Sequence, residues 1–414
     1  MRVSVIIPAW NLWEMTSTCL RSLAEHSAGE PLEVLVVDNG SDDATRSELE
    51  PLGQSLFGTD FRAVRLPENL GFAKACNAGA ALASGELLFF LNNDTTCTPN
   101  WLPPLRAAFA DARLGAVGPL LLYPDGTIQH CGVFVSIFRQ VSHLYARLPG
   151  DFIAAYAPHP LQAITGAALM LRKSLFLECG GFFEGYLNGF EDIDLCCAIR
   201  AKGLKLRVEA RSCLYHHTSK TPGRFAAEQA NSKLLAERYG SHLQADEHLL
   251  AALDGYEVRV GRNLVSWLEL PTAAQQELTT SVHKPALDVA ACRELLAREP
   301  FWREGWFLLA AHLERSGKVR EALELLQDGW WLFLDERSML TMLRLYARQG
   351  IKNPMLEALL HKLRTTDMEA SKLQVRKTRK LAQSLGDKRL LALLDDWLAA
   401  WGSRSGKNAE TLCS

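Results

Sequence analysis

The chain carries almost no surplus charge of either sign: 45 Lys and Arg stand against 47 Asp and Glu in 414 residues, for a formal net charge of -2. That balance offers no electrostatic footprint for nucleic acid, so a nucleic-acid role is disfavoured. Long apolar runs are missing as well. No stretch approaches the ~18 consecutive apolar residues of a membrane span, so lipid-linked material would have to be met from outside the bilayer. The opening run "MRVSVIIPAWN" is too short for a signal-peptide core and is broken by Pro8 before any small-residue cleavage site, so it reads as a first strand. Ten cysteines are present, but they form no C-x-x-C pair and no framework spacing. They read as reduced, mostly buried thiols of a cytoplasmic protein.

What is present is an ordinary globular composition, 48% hydrophobic and 22% charged. The length allows about two or three domains. From Met1 to about residue 240, short apolar runs alternate with amphipathic segments, which is the pattern of an α/β domain with a largely parallel sheet. Strands are expected at Val3–Ile7, Leu32–Val37, Ala63–Leu66 and Glu86–Leu91. Helices are expected at Glu14–His26, Ala44–Leu52, Ala73–Ala83 and Trp101–Ala110. Strands end just before Pro8, Asp38 and Asn92, and ligands of open α/β sheets sit outside such carboxyl ends. Those three points should therefore converge.

The character changes after residue 240. A connecting segment is expected over 241–284, with a hairpin within Tyr256–Leu270 that turns at Gly261-Arg262-Asn263. Residues 285–402 read as an all-α domain, and 403–414 as a polar tail. Within the helical part, Trp306, Leu309, Ala310, Leu313, Gly317, Ala322 and Leu326 fall close to the positions of a tetratricopeptide repeat.

Four clusters have residues suited to chemistry. In "EVLVVDNGSDDAT" a buried strand delivers Asp38, either in a loop whose Asp42 or Asp43 caps the next helix or as a ligand for a base or ribose hydroxyl. In "ELLFFLNNDTTC" the run ends in Asn92-Asn93-Asp94. These residues either simply turn the chain or present Asp94 to a hard divalent cation that bridges phosphate oxygens, with Asn92 and Asn93 as neutral acceptors. In "NGFEDIDLCC" the acids Glu191, Asp192 and Asp194 suit a helix N-terminus, and Asp192 is also the candidate general base. In "CLYHHTSKTPGR" His216 and His217 precede Ser219, Lys220 and Arg224, a set able to supply a metal ligand and diphosphate contacts.

The order of these blocks resembles the family 2 inverting glycosyltransferases of GT-A fold. The blocks "VSVIIPAWN", "VVDNGSDD", "ENLGFAKACNAGAALASGELLFFLNNDT", "TGAALMLRKSLFLECGGF", "FEDIDLCCAIRAKG" and "LYHHTSKT" are all similar to successive segments of that family, most of all to its rhamnosyltransferase-like members. The resemblance implies a GT-A domain over 1–240 with a Rossmann-like mixed sheet, and a nucleotide-diphospho-sugar donor, UDP- or dTDP-linked. It implies Mn²⁺ or Mg²⁺ as cofactor, and a glycan, lipid-linked or protein-linked acceptor. It further implies that Pro8, Trp10, Asp38, Lys74, Asn77, Asn93 and Asp94 contact the nucleotide sugar, with Trp10 stacked on the base. Asp94 and His216 would hold the metal, with His217 as the alternate. Gly166 would line the acceptor side, and Asp192, with Glu191 beside it, would be catalytic. Two positions depart from the family's pattern: Phe183 stands where Asp is common, and Asn92 where a stricter metal motif has Asp.

The implied setting is cytoplasmic, peripheral at the inner face of a membrane, in surface polysaccharide or glycoconjugate synthesis. The C-terminal helices are then available to a protein partner or to self-association. The alternative is an inactive nucleotide-binding scaffold that recruits partners through those helices. A sugar-1-phosphate nucleotidyltransferase would carry a Gly-rich, Arg-containing loop after the first strand, where this chain has "PAWNLWEM".

Overall fold

The computed structural model describes residues 1–217, 227–240, 242–283, 286–333 and 335–402. Ser219, Lys220, Arg224 and the expected polar tail lie outside the described residues. Contacts divide the chain into two units: Met1–Phe134 with Val141–Gln244, and Val135–Gln140 with Ala245–Ser414.

The first unit contains strands β1 (Val3–Ala9), β2 (Leu32–Asp38), β3 (Phe61–Arg65), β4 (Leu87–Leu91), β5 (Thr95–Cys97), β6 (Leu114–Leu122) and β7 (Ile128–His130). It continues with β8 (Val133–Val135), β9 (Val141–His143), β10 (Ala168–Arg172) and β11 (Lys205–His216). Its helices are α1 (Trp13–His26), α2 (Thr45–Phe57), α3 (Phe72–Leu82), α4 (Leu102–Ala108), α5 (Lys173–Glu178), α6 (Glu191–Ala201) and α7 (Glu228–Tyr239). The main sheet runs β3-β2-β1-β4-β10-β6-β11-β5, with β7 on β6. β1, β2, β3 and β4 are parallel, whereas β10 is antiparallel to both β4 and β6. A mixed α/β sheet followed by helices is thus the architecture that the sequence implied.

The strand runs are apolar because both faces of the sheet are covered. Every residue of Leu87–Leu91 is fully buried, as are Val5, Ile6 and Ile7. Each such side chain contributes about 1.5–3 kcal/mol of burial. Two boundaries differ from expectation for tertiary reasons. The helix expected over Ala44–Leu52 continues through Pro51 to Phe57, where Leu56 and Phe57 pack against the core. β3 starts at Phe61 because it follows β2 in register, from Val34↔Phe61 to Asp38↔Arg65.

The second unit includes α8 (Glu247–Leu253), the hairpin β12 (Glu257–Val260) and β13 (Ser266–Glu269), and α9 (Thr272–Ser281). Helices α10 (Val289–Arg298), α11 (Arg303–Arg315), α12 (Val319–Gly329), α13 (Glu336–Arg348), α14 (Pro354–Arg364), α15 (Met368–Leu385) and α16 (Lys388–Trp401) follow. From Ala245 on, the stretch expected to be a connector lies within this unit. Helix starts are set by side-chain caps: Asp288, Asp335, Asn353, Asp367 and Asp387 each accept a hydrogen bond from the first turn of the helix that follows.

Glu247 gives this unit a pH dependence. Burial, with Asp246 alongside, pushes its carboxyl from 4.5 up to about 7, against hydrogen bonds from the Ser266 hydroxyl and the Ile137 N–H. The native chain therefore keeps a proton that the unfolded chain releases in that window. The stability that Glu247 contributes is full below about pH 4.5 and is lost as pH rises to about 7, by up to ~3 kcal/mol. Glu247→Gln is expected to flatten that dependence in urea titrations at pH 5 and pH 8. An unchanged slope in the variant would assign the effect elsewhere.

Candidate active site

The carboxyl ends of β1 and β4 open into a cleft of about 340 Å³. Pro8, Trp10, Asn93, Asp94, Gly166, Glu191 and Asp192 all line it. The fold therefore brings together residues spread over more than 180 positions of sequence.

Asp94 is placed by the turn that follows β4. The Asn92 N–H donates to the Ala167 carbonyl at 2.8 Å, and the Asn93 amide donates to Thr16 Oγ1 at 2.9 Å. The chain then enters β5, which pairs Thr95 with His216 of β11. Asp94 Oδ1 lies 3.0 Å from His216 Nε2, and both side chains are buried. His217 faces elsewhere, because side chains alternate along extended chain. Its N–H donates to the Asp94 carbonyl at 2.9 Å and its ring meets Thr96 Oγ1 at 3.0 Å, so the alternate metal ligand is not beside the Asp94 carboxylate.

A second contact sets the His216 tautomer. Gln129 Nε2 donates to the His216 carbonyl at 3.0 Å, which leaves Gln129 Oε1 to accept from His216 Nδ1. The Nε2 lone pair then faces the Asp94 carboxylate, with the Asn92 amide at 3.3 Å. A carboxylate oxygen and an imidazole lone pair at that distance are an arrangement that a cation between them would stabilise. One carboxylate and one imidazole are a donor set that fits Mn²⁺ or Mg²⁺. Among the described residues no three His, Cys, Asp or Glu side chains gather for a metal. An ion held here would take its other ligands from phosphate and water, as small divalent cations commonly do.

Asp192 sits in the first turn of α6. Its Oδ2 accepts from the Gly166 N–H at 2.7 Å, and its Oδ1 from the Ile193 N–H at 2.9 Å, so the carboxylate has one orientation. A Cβ at residue 166 would come 3.1 Å from Asp192 Cβ, so glycine allows this approach. The turn into α6 is strained: Asn188, Gly189 and Phe190 all have positive φ, at 52°, 140° and 76°. It is held by Glu191 Oε2, which accepts from the Gly189 N–H at 2.7 Å, and by buried Asn231, whose amide donates to the carbonyls of Leu187 and Gly189. Glu191 thus shapes the loop that presents Asp192. Asp194 accepts from Tyr186 and Arg238 and anchors the same helix. The Arg238 guanidinium also lies 3.6 Å from the centre of the Phe183 ring, so a cation–π contact occupies the position where the resembling family commonly has Asp.

Three expected nucleotide contacts are placed otherwise. Asp38 does not line the cleft: its Oδ1 accepts from the Ser41 N–H and its Oδ2 from Arg65, and its side chain is 4% exposed. Its neighbour Asn39 lines the cleft instead. Lys74 is exposed on α3 outside the lining, where Phe72 takes the wall position. Asn77 clamps the loop before α6, accepting from the Phe182 N–H and donating to the Phe182 carbonyl and Glu184. Sequence reading missed Phe72, Asn188, Asn231 and His143. Only Asn188-Gly189 carried a signal, as a dipeptide that favours positive φ.

Residues 4–179 match the model of the family described as Glycosyl transferase family 2. The O-antigen biosynthesis protein RfbC of Myxococcus xanthus is 34% identical over 226 residues, 53% of this chain and 17% of that protein. The N-acetylglucosaminyl-diphospho-decaprenol L-rhamnosyltransferase of Mycobacterium tuberculosis is 29% identical over 246 residues, 53% of this chain and 76% of that protein. The crystal structure of GalNAc-T7 with UDP, GalNAc and Mn²⁺ is 18% identical, covers 58% of this chain and 48% of that one, and has a TM-score of 0.48. The chain spans only 25%, 17% and 42% of the lengths of three of its curated relatives. Residues 4–179 contribute Asp94 and Gly166 to the cleft, and the chain beyond them adds Asp192 to it and sets His216 against Asp94. Over residues 4–179 the chain is similar to glycosyl transferase family 2, and a helical C-terminal region follows the first unit.

Proposed function

We propose that the chain is an inverting, metal-assisted glycosyltransferase. It moves a sugar from a nucleotide-diphosphate donor, UDP- or dTDP-linked, to a hydroxyl of a glycan, lipid-linked or protein-linked acceptor in surface polysaccharide or glycoconjugate synthesis. The observation that carries this reading is one cleft lined by Asp94, with His216 3.0 Å from its carboxylate, and by the oriented Asp192 carboxylate.

Asp94 and His216 would hold Mn²⁺ or Mg²⁺, and such an ion when bound would neutralise charge on the leaving diphosphate. Trp10 and Pro8 offer the nucleobase an apolar wall. Asp192 accepts the proton of the acceptor hydroxyl as that oxygen bonds to the anomeric carbon and the bond to the diphosphate breaks. Attack opposite the leaving group inverts the anomeric centre, so one base suffices. Gly166 keeps the wall beside Asp192 free of a side chain.

We place the reaction in the cytoplasm at the inner face of a membrane. The cysteines of the described residues are all free, which fits a reducing compartment, and no described helix is long and apolar enough to cross a membrane. We read the C-terminal helices as tetratricopeptide-like, suited to a protein partner or to self-association. Leu309, Ala310, Leu313, Ala322 and Leu326 are buried, and Gly317 turns the chain between α11 and α12 at φ 77°.

The test is nucleotide release from UDP-, GDP- and dTDP-sugars with and without Mn²⁺. Metal-stimulated release from one donor is expected. Nucleotide binding without release, with sugar acceptors supplied, would favour the scaffold instead.

A further inference from the structure

Phe72 opens α3 and lines the cleft together with Gly166, Asn188 and Asp192. Its backbone is fixed from two sides. Buried Asn39, just past the end of β2, donates to the Asn69 side chain at 3.0 Å and to the Gly71 carbonyl at 3.2 Å. It also accepts from the Leu70 N–H at 2.9 Å. From the other side, Asn188 Oδ1 in the turn before Asp192 accepts from the Phe72 N–H at 3.3 Å. The ring is fixed as well. It meets Phe182 edge to face with centroids 5.6 Å apart, and Phe182 is buried against Phe90 and Phe176. Phe72 nevertheless stays partly exposed, on the wall of the cleft.

The ring stands close to the proposed base. Phe72 Cε1 and Asp192 Oδ2 each lie 3.6 Å from one point, the Cβ position at residue 166, so at most two such spans separate ring and carboxylate. A base must come within about 2.6–3.2 Å of the hydroxyl it deprotonates, and that oxygen bonds to the anomeric carbon. On its other flank the ring is tied to the nucleotide wall, because the Asn39 N–H donates to the Ala9 carbonyl at 2.7 Å, between Pro8 and Trp10. The interval between nucleotide wall and base is the one that the transferred sugar spans, joined to the diphosphate and attacked by the acceptor at the same carbon. An aromatic face is weakly negative and apolar, which suits the C–H face of a pyranose ring.

We propose that Phe72 is a sugar-binding residue whose ring receives the C–H face of the transferred pyranose and so helps to set which donor sugar is accepted. The inference rests on the transferase reading and deepens it.

The experiment uses the full chain with Mn²⁺ and compares calorimetric affinities for the UDP- or dTDP-sugar that the wild type hydrolyses and for the matching nucleoside diphosphate. Phe72→Leu keeps an apolar side chain but loses the aromatic face. It is expected to weaken the nucleotide sugar by about two- to tenfold, the worth of one aromatic pairing, and to raise the donor KM for hydrolysis in step. Affinity for UDP or dTDP should not change. Phe72→Tyr keeps the face and should stay within about twofold of wild type. If Phe72→Leu does not fold, Phe72→Met carries the same expectations. Unchanged affinity for the nucleotide sugar in the aliphatic variant would overturn the assignment. Equal weakening of the nucleoside diphosphate would also overturn it, since the ring would then serve the nucleotide, as would an equal loss in Phe72→Tyr. A wild type that releases no nucleotide from any donor would overturn the transferase reading instead. Calorimetry of the same variants with the tightest-binding nucleotide sugar would then decide on Phe72 by the same outcomes.

Discussion

Asp192→Asn is expected to lower sugar transfer by about 10²- to 10⁴-fold, or roughly 3–5 kcal/mol of barrier, while nucleotide affinity stays within about twofold of wild type. Asparagine has nearly the same shape and keeps an oxygen for one of the two N–H groups, of Gly166 and Ile193, that now bond to separate oxygens of the carboxylate. What it loses is the ability to take a proton from the acceptor hydroxyl. The separation of transfer from binding is the informative result, measured by nucleotide release and by calorimetry on the same preparation. Equal loss of both would show that Asp192 is needed to build α6's entry turn rather than to accept a proton. That turn has three consecutive positive-φ residues and therefore depends on its side-chain contacts.

Asp94→Ala should act on binding. In the wild type, Mn²⁺ is expected to raise affinity for the nucleoside diphosphate, and in the variant that metal-dependent gain should disappear. Removing a metal ligand should cost more than the roughly 10- to 100-fold that follows loss of an outer-shell partner. Gln129→Leu is the outer-shell comparison, because Gln129 fixes the His216 tautomer without reaching Asp94. The order Asp94→Ala worse than Gln129→Leu, both worse than wild type, is the expected calorimetric series. Unchanged nucleotide affinity with Mn²⁺ in Asp94→Ala would remove that residue from the site, and the short Asp94–His216 contact would then be a buried ion pair that supports β5 and β11.

Local signals were enough for the first half of the fold. The runs at Val3–Ile7 and Leu32–Val37 are apolar but for Ser4 and Glu33 because both faces of the sheet are covered, and strand pairing continues past them, through Pro8 to Ala9 and on to Asp38. The limits of α2 and β3 were not local. The helix runs on past Pro51 because partly buried Leu56 and Phe57 pack against the core, and Phe61 is strand because β2 supplies its partners.

The site divides along the same line. The order of the blocks, through the family they resemble, implied which residue types would gather: an acid after the fourth strand, acids opening a helix, and a histidine at the end of β11. Those choices rest on strand ends and helix starts, which are encoded by neighbours in the chain. Tertiary structure decided between residues of equal local promise. It set His216 rather than His217 against Asp94, because pairing of β5 with β11 fixes which face of the strand each ring occupies. It committed Asp38 to Ser41 and Arg65, and Asn77 to the loop before α6, since a polar side chain buried by the fold bonds to whatever the fold brings near it. It also brought His130 and His143 together through two short strands that have no polar signature of their own, a contact that no local pattern encodes.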